Sequence, residues 1–413
     1  MTYSLIANGT LIDGNGRSPL KNAAVLIKEN KIVQVGRKAD ITLPDSDIHH
    51  INAAGGFILP GFIDSHVHLM FNEINMMQSM TTPFSYNFYN AISNFRNTVE
   101  AGITSVRDAG GTDVGVQKAI NDGLVLGPRT QISITVLSIT GGHGDSWLPS
   151  GMEMELLVSY PGNPSGICDG VAEVRKKVRE VLRAGAEVIK VCSTGGVLSP
   201  TDHPEFTQFT QEELAVMVQE GAYRRGVKVM AHAQGAEGIK NAVRAGIHSI
   251  EHGILLDDEA IELMLEHGTF LVPTLLAPLA VIEIGEAKGT IPEWGLRKAR
   301  ETIEIHSESI ARAYKAGVKI AMGTDAGVMP HGTNLRELGL MCSIGMSPME
   351  SIVATTKVAA ECLGWQDKVG TVEAGKLADL VVTKTDPLAN IRSLENVDNV
   401  CLVMKDGIVV KNI

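Results

Sequence analysis

LPGFIDSHVH, residues 59–68, is a short apolar run that ends in two histidines separated by one residue. The same pattern, an apolar run followed by a histidine, lysine or aspartate, returns in EVIKVCSTGG, VMAHAQG, SIEHG and AMGTDAG. We interpret each run as a barrel strand and each polar residue as its carboxyl end, where the sites of parallel α/β barrels lie. The residues selected in this way are His66, His68, Lys190, His232, His252 and Asp325.

The chain around these runs alternates apolar strands with amphipathic helices, which predicts an α/β fold with a closed (β/α)8 TIM-like barrel. The two ends of the chain instead look all-β, and neither end is large enough to bury both faces of a sheet of its own. We therefore expect a small β-sandwich built from residues 1–57 and 370–413, flanking a barrel at 58–369. The predicted barrel strands are 58–64, 103–107, 131–139, 187–192, 227–233, 247–251, 269–273 and 318–323.

The composition of the chain excludes several classes of partner. Its 413 residues include 36 Lys+Arg and 47 Asp+Glu, and the net charge of −11 argues against binding to nucleic acid or an anionic membrane. The five cysteines form no CxxC pair and the N-terminus lacks a signal-peptide pattern, so we expect reduced thiols and a cytoplasmic location. We expect a small-molecule substrate and a homo-oligomer.

The polar strand ends suggest how metal ions could bind. His66 and His68 are two residues apart on a strand, so both side chains project to one face, and imidazole pairs bind borderline metals. A buried Lys190 can lose its proton and react with carbon dioxide, which gives an anionic carbamate able to bridge two cations. Lys190 could instead pair with Asp325 or bind a substrate carboxylate. Asp325 could bind a metal and transfer a proton, or cap the next helix.

Together the motifs resemble the amidohydrolase superfamily, in the group of imidazolonepropionase-like proteins and metal-dependent Xaa-Pro dipeptidases. LPGFIDSHVH, VIKV and GTDAG carry the resemblance to the superfamily, and GGHGD, AHAQGAEGI and SIEHG carry the resemblance to the group. The resemblance implies two Zn²⁺ ions per chain, bridged by carboxylated Lys190 and a hydroxide. The implied ligands are His66, His68 and Asp325 for one zinc and His232 and His252 for the other.

Three further residues are candidates for contact with substrate. The resemblance implies that His143, in GGHGD, polarises the substrate carbonyl, and a turn-capping histidine is the alternative. Gln234 follows His232 by two residues and stands where prolidase-like relatives carry a tyrosine, so strict proline specificity is not expected. His331, in MPHGTN, either contacts substrate or holds its own loop.

The predicted function is therefore hydrolysis of the amide bond of small substrates by a Xaa-Pro dipeptidase or carboxypeptidase-like enzyme, with dipeptides as the expected class and Asp325 as the proton carrier. Long connections at 69–94, 140–170 and 274–297 are expected to form an apolar mouth over the site. Alternatives that keep the metals are an N-acyl amino acid amidase, a cyclic-amide hydrolase such as an imidazolonepropionase, and a phosphotriesterase. The alternative of another class is a non-catalytic structural relative.

Overall fold

The computed structural model describes residues 2–73, 75, 78, 81–153 and 158–413. The strands are β1 Tyr3–Leu11, β2 Leu20–Lys28, β3 Lys31–Arg37, β4 Ile48–Asn52, β5 Phe57–Pro60, β6 Phe62–Val67, β7 Ile103–Asp108, β8 Arg129–Ile132, β9 Val136–Leu137, β10 Val188–Cys192, β11 Lys228–Ala233, β12 Ser249–His252, β13 Phe270–Val272, β14 Leu380–Thr383, β15 Val400–Lys405 and β16 Ile408–Asn412. The helices are α1 Phe84–Glu100, α2 Val114–Asn121, α3 Gly170–Ala184, α4 Gln211–Tyr223, α5 Ala236–Arg244, α6 Asp258–His267, α7 Leu276–Lys288, α8 Glu293–Ala316, α9 Arg336–Ser343, α10 Pro348–Ala354 and α11 Lys357–Leu363.

The barrel wall consists of two parallel ladders, β6-β7-β8 and β9-β10-β11-β12-β13. The predicted third strand, 131–139, is divided between β8 and β9, because Ile134 adopts a left-handed φ of 71° that interrupts the strand. Strand residues such as Ile189 and Val229 pack in the main hydrophobic core with helix residues such as Met217. This packing leaves the alternate strand residues to face the barrel interior.

The predicted eighth strand, 318–323, is not a regular strand. The barrel closes through a single parallel bridge from Ile320 in this segment to Leu271 and another from Ala326, just after it, to Val67. Gly323 lies so close to the neighbouring strands that a Cβ there would overlap the side chain of Val272. Backbone hydrogen bonds still join the segment to both neighbours, from Leu271 N–H to the carbonyl of Lys319 and from Ser65 N–H to the carbonyl of Met322.

The predicted first strand, 58–64, is also divided. Its first residues belong to β5 in the terminal sheet, and its last residues belong to β6 in the barrel. Gly61 separates the two strands, and a Cβ at this position would overlap the side chain of Thr104. Gly61 thus lies between the last residue of β5 and the first residue of β6, and the domain bounds 1–57, 58–369 and 370–413 stay a prediction.

Both ends of the chain form the terminal β-sandwich, as predicted. Its eight-stranded sheet has the order β16-β15-β14-β5-β1-β2-β3, with β4 paired to β1. The antiparallel pair β14–β5 joins the C-terminal strands to the N-terminal ones. Residues from both ends, including Val25, Leu380 and Met404, share one apolar core. Arg129 of the barrel forms ion pairs with Asp379 and Asp406 of the terminal domain.

Side-chain caps mark the starts of two barrel helices. Thr210 caps α4 in a capping box with Glu213, and Asp257 caps the start of α6. The predicted long connection 274–297 is instead largely helical, because it contains α7 and the start of α8. Within the described ranges, no helix is long and apolar enough to cross a bilayer.

Candidate metal centre

Two histidines and an aspartate meet at one end of the barrel. His66 and His68 lie at the end of β6, and their Nε2 atoms are 3.4 Å and 3.3 Å from the same Oδ1 atom of Asp325. Among the described residues these three side chains form a group whose ligand atoms all lie within 4.8 Å of one another. The geometry is that of a site able to hold one cation.

The other three predicted ligands lie beside this group. The ring centroid of His252, at the end of β12, is 5.2 Å from that of His66 and 4.5 Å from that of His232 on β11. The Nζ atom of Lys190, on β10, is 3.4 Å from Nε2 of His66. The structure therefore brings all six sequence-predicted ligand residues to one place.

Each of the four histidines has one ring nitrogen bound by the protein. Nδ1 of His66 contacts Oε2 of Glu251 at 2.8 Å, and Nδ1 of His68 contacts the carbonyl oxygen of Gly110 at 2.9 Å. The remaining two contacts are Nδ1 of His252 with Oγ1 of Thr274 at 2.7 Å and Nε2 of His232 with the carbonyl oxygen of Gly195 at 3.0 Å. Metal-binding histidines are oriented in this way, with the second nitrogen left for the ion.

Glu251 is itself held by a buried ion pair that the sequence did not reveal. Nη2 of Arg107 donates to Oε1 of Glu251 at 2.9 Å, and Nη1 donates to Oγ of Ser249 at 3.1 Å. Burial alone would raise the pKa of Glu251, but Arg107 and His66 lower it to about 2. A glutamate inside the apolar run SIEH was the available signal for this residue.

Two of the candidate ligand residues have strained backbone conformations. His252 and Asp325 both adopt left-handed φ angles, of 74° and 64°, although neither is a glycine. Such conformations cost about 1–3 kcal/mol each and persist only where the surrounding structure enforces them, which is common at functional sites. Asp325 is tied down because its backbone N–H donates to the carbonyl of His66 at 2.7 Å.

The protonation states also suit cation binding. Burial holds the pKa values of His232 and His252 well below the usual value of 6.5, which favours the neutral imidazole that binds metals. Burial also lowers the pKa of Lys190, and the charges of Glu251 and Asp325 oppose this shift only in part. Although burial alone would raise it, the pKa of Asp325 is held well below its usual value by the neighbouring histidines.

A cavity of about 240 Å³ opens above the predicted ligands. The described residues of its wall are mostly apolar away from the ligands, and two carboxylates, Glu73 and Asp145, lie among them. Its size and mixed lining suit a small organic substrate. The apolar wall residues include Phe71, Val136, Leu148, Ile167, Leu198, Pro200 and Val328.

His143 lies on the wall of this cavity. Its ring stacks on that of His232, with centroids 4.2 Å apart and planes 20° from parallel. Nδ1 of His143 is hydrogen-bonded to Oγ of Ser199 at 2.7 Å. Burial lowers the pKa of His143, and the charge of Asp202 opposes this effect. The structure thus places His143 beside the ligand group with Nε2 as the nitrogen that Ser199 does not engage.

The two predicted substrate contacts, Gln234 and His331, are not part of the described cavity wall. His331 is buried and its ring nitrogens contact Oγ1 of Thr98 and the carbonyl oxygens of His68 and Phe71. This placement corresponds to the loop-holding alternative. Gln234 is also buried, and its Oε1 atom has no hydrogen-bond partner among the described residues.

The donor chemistry of the six residues fits the metal ions that the motifs imply. Imidazole and carboxylate ligands suit zinc and similar borderline cations, and each of the four histidines is oriented by a contact of its other ring nitrogen. Comparison with known families agrees with this geometry, because residues 57–410 match the amidohydrolase family. The chain belongs to the amidohydrolase family. The predictions of an amide-bond hydrolase and of a TIM-like barrel with a terminal β-sandwich are therefore confirmed.

Individual relatives of this amidohydrolase cover nearly the whole chain. Ochratoxinase of Aspergillus niger is 36% identical over 426 aligned residues, which cover 98% of this chain and 86% of the relative. A solved Xaa-Pro dipeptidase with bound methionine has a TM-score of 0.88 at 36% identity, and the match covers 100% of both chains. Imidazolonepropionase of Shewanella pealeana is 23% identical and covers 94% of this chain and 93% of the relative.

Proposed function

We propose that this amidohydrolase is a binuclear zinc enzyme that cleaves the amide bond of dipeptides. The convergence of six ligand-type side chains at the floor of one cavity carries the proposal. His66, His68 and Asp325 would hold one ion, and His232 and His252 would hold the other. Six donor groups exceed what a single tetrahedral zinc needs, which supports two ions per chain.

Lys190 would complete the centre as a carbamate. Its neutral amine would attack carbon dioxide, forming a nitrogen–carbon bond and releasing one proton to solvent. The lowered pKa of Lys190, which results from burial, makes the neutral amine accessible. The product is an anion with two oxygens, so its negative charge would compensate part of the positive charge of the two cations.

Asp325 and His143 would have different roles in the hydrolysis. Bound metal ions supply activation of a water and polarisation of a carbonyl. Asp325 is ionised, so it can accept the proton of the attacking water and deliver it to the leaving amine. His143, on the cavity wall, would stabilise the developing oxyanion through Nε2 as an imidazolium, because the Ser199 hydroxyl donates to Asp202 and Nδ1–H of His143 therefore already donates to Ser199.

The cavity wall bears on the substrate class. Its apolar residues suit a hydrophobic side chain, and Lys190 is the only lysine or arginine among the described residues of the wall. Glu73 is compensated by its ion pair with Lys288 at 2.6 Å, whereas Asp145 accepts from the backbone N–H groups of Gly141 and Trp147 and leaves a negative charge on the wall. A dipeptide carries a free α-ammonium group that suits this charge, whereas an N-acyl amino acid does not. The likeness to a Xaa-Pro dipeptidase supports the same class.

A substrate panel with metal analysis tests the proposal. Apo-enzyme would be reconstituted with zinc and bicarbonate, then assayed on dipeptides with apolar first residues and on their N-acetylated counterparts. We expect a metal content near two ions per chain and a preference for the free dipeptides. Preference for the N-acetylated series would favour the amidase alternative, and full activity without metal would refute the metal centre. The homo-oligomeric state and the cytoplasmic location stay predictions from the sequence.

A further inference from the structure

The ring of His143 is enclosed on both faces. One face stacks on the ring of His232, with centroids 4.2 Å apart. The other face lies against the backbone of Gly196, where an added Cβ would overlap the Nδ1, Cε1 and Nε2 atoms of His143. The φ angle of Gly196 is not left-handed, so the backbone conformation does not require a glycine here. The missing side chain instead leaves space for the His143 ring.

The edge of the same ring is held by Ser199 and Asp202. Oγ of Ser199 is hydrogen-bonded to Nδ1 of His143 at 2.7 Å and also contacts Oδ1 of Asp202. Oδ2 of Asp202 lies 3.7 Å from the same Nδ1 atom. Ser199 and Asp202 are almost fully buried, so water does not compete strongly for these contacts. The ring can therefore neither rotate nor tilt without breaking a buried hydrogen bond.

Lys298, on α8, fixes the loop that carries these residues. Its buried Nζ atom donates to the carbonyl oxygens of Gly196, Ser199 and Asp202 at 2.9, 2.8 and 2.5 Å, and it lies 3.6 Å from Oδ1 of Asp202. Nε2 of Gln208 donates to Oδ2 of Asp202 at 3.1 Å. A buried ammonium is costly unless it is paired and hydrogen-bonded, and here one ammonium satisfies three carbonyl groups of a single loop.

We propose that residues 196–202, clamped by Lys298, position His143 for the reaction. This inference rests on the proposed function, because it assigns a purpose to the orientation of the residue that contacts the carbonyl. Gly196, Ser199, Asp202 and Lys298 are positioning residues: none of them needs to touch the reacting atoms. They hold Nδ1 against Ser199 and leave Nε2 as the nitrogen that faces a substrate.

Gly196→Ala tests the inference, because the added methyl group displaces the ring of His143. We expect kcat to fall by about 10²-fold, the scale for a misplacement of about 1 Å, with KM and metal content unchanged. In a His143→Ala background the methyl group has space, so the same change should leave the residual kcat within about twofold. An equal loss in both backgrounds, or no loss in either, would overturn the inference.

Ser199→Ala provides a second test that adds no volume. It should lower kcat and leave the metal content unchanged, whereas Ser199→Thr, which keeps the hydroxyl, should restore most of the loss. Ser351→Ala is the matched control, because Ser351 is an equally buried serine that donates to the carbonyl of Leu338 on α9. Equal losses of kcat in the Ser199→Ala and Ser351→Ala variants would contradict a positioning role.

A crystal structure of the Gly196→Ala variant separates this inference from the proposed function. We expect the His143 ring to be rotated out of its stack on His232 while the other histidines keep their places. An unmoved ring would refute the positioning role whatever the activity. A displaced ring combined with wild-type turnover in His143→Ala would support the positioning contacts and refute instead the proposed role of His143.

Discussion

Glu251 and His66 are joined by a buried hydrogen bond of 2.8 Å between Oε2 and Nδ1, and neither side chain is exposed to solvent by more than 1%. The other oxygen of the same carboxylate accepts from Arg107 at 2.9 Å. The contact fixes which nitrogen of His66 faces the candidate metal centre, because the nitrogen that donates to Glu251 cannot also bind an ion. The Glu251 carboxylate therefore orients His66 and is itself held in place by Arg107 of another barrel strand.

Replacing Glu251 with Gln should weaken both metal binding and stability. Removal of the charge leaves Arg107 unpaired in the interior, which costs about 3–5 kcal/mol of unfolding free energy. It should also weaken zinc affinity by about 10–100-fold, the usual effect of losing a partner behind a ligand. Denaturant unfolding of the apo-enzyme and competition with a chelator measure the two effects separately.

Glu283→Gln is the matched control for that variant. Glu283 pairs with Arg336 at 2.8 Å, but both side chains are partly exposed. Exposed pairs contribute at most about 1 kcal/mol, so the control should lose little stability and no metal affinity. Equal effects in the two variants would show that the Arg107–Glu251 pair has no special role.

Acid should remove the stabilising contribution of Glu251. The pKa of this carboxyl is lowered from 4.5 to about 2, chiefly because Arg107 outweighs the opposing effect of burial. The ionised group therefore stabilises the fold at pH values above 4.5, and the contribution is lost as the pH falls toward 2. The difference in unfolding free energy between wild type and Glu251→Gln should shrink over this range in the apo-enzyme, and a constant difference would contradict the assignment.

Lys190→Ala should abolish activity, because the proposed carbamate would be lost and the two cations would have no shared anion. Short-chain carboxylates such as acetate should restore part of the activity and of the metal content by supplying two oxygens in its place. Lys228→Ala, at the exposed start of β11, is a suitable control and should behave as wild type. Turnover of Lys190→Ala equal to that of wild type would show that Lys190 has only a structural role.

His143→Asn should lower kcat by about 10²–10³-fold, the scale for losing one donor to an oxyanion. Its metal content should stay unchanged, since the proposed role of His143 is contact with the substrate carbonyl. His267→Asn, at the exposed end of α6, controls for the loss of a histidine elsewhere. Steady-state kinetics and metal analysis on the same preparations check the prediction, and loss of metal in His143→Asn would instead identify a ligand.

Local patterns were sufficient for much of the barrel and of the site. A period of two places His66 and His68 on one face of β6, and a capping box at Thr210 and Glu213 marks the start of α4. These signals depend on residues that are close together in the chain, so they can be recognised without knowledge of the fold. The same local rules do not separate β5 from β6 within the predicted strand 58–64, because the pairing of β5 with β14 joins distant parts of the chain.

The sequence by itself determined which side chains stand at the strand ends, because the carboxyl ends of parallel strands meet at one face of a barrel. Tertiary structure alone decided how those side chains are aimed. Glu251 meets Arg107 across 144 residues of sequence, and His143 meets Ser199 across 56. Such pairs leave no periodic trace in the chain, because their energy comes from burial and hydrogen bonding between segments that only folding brings together.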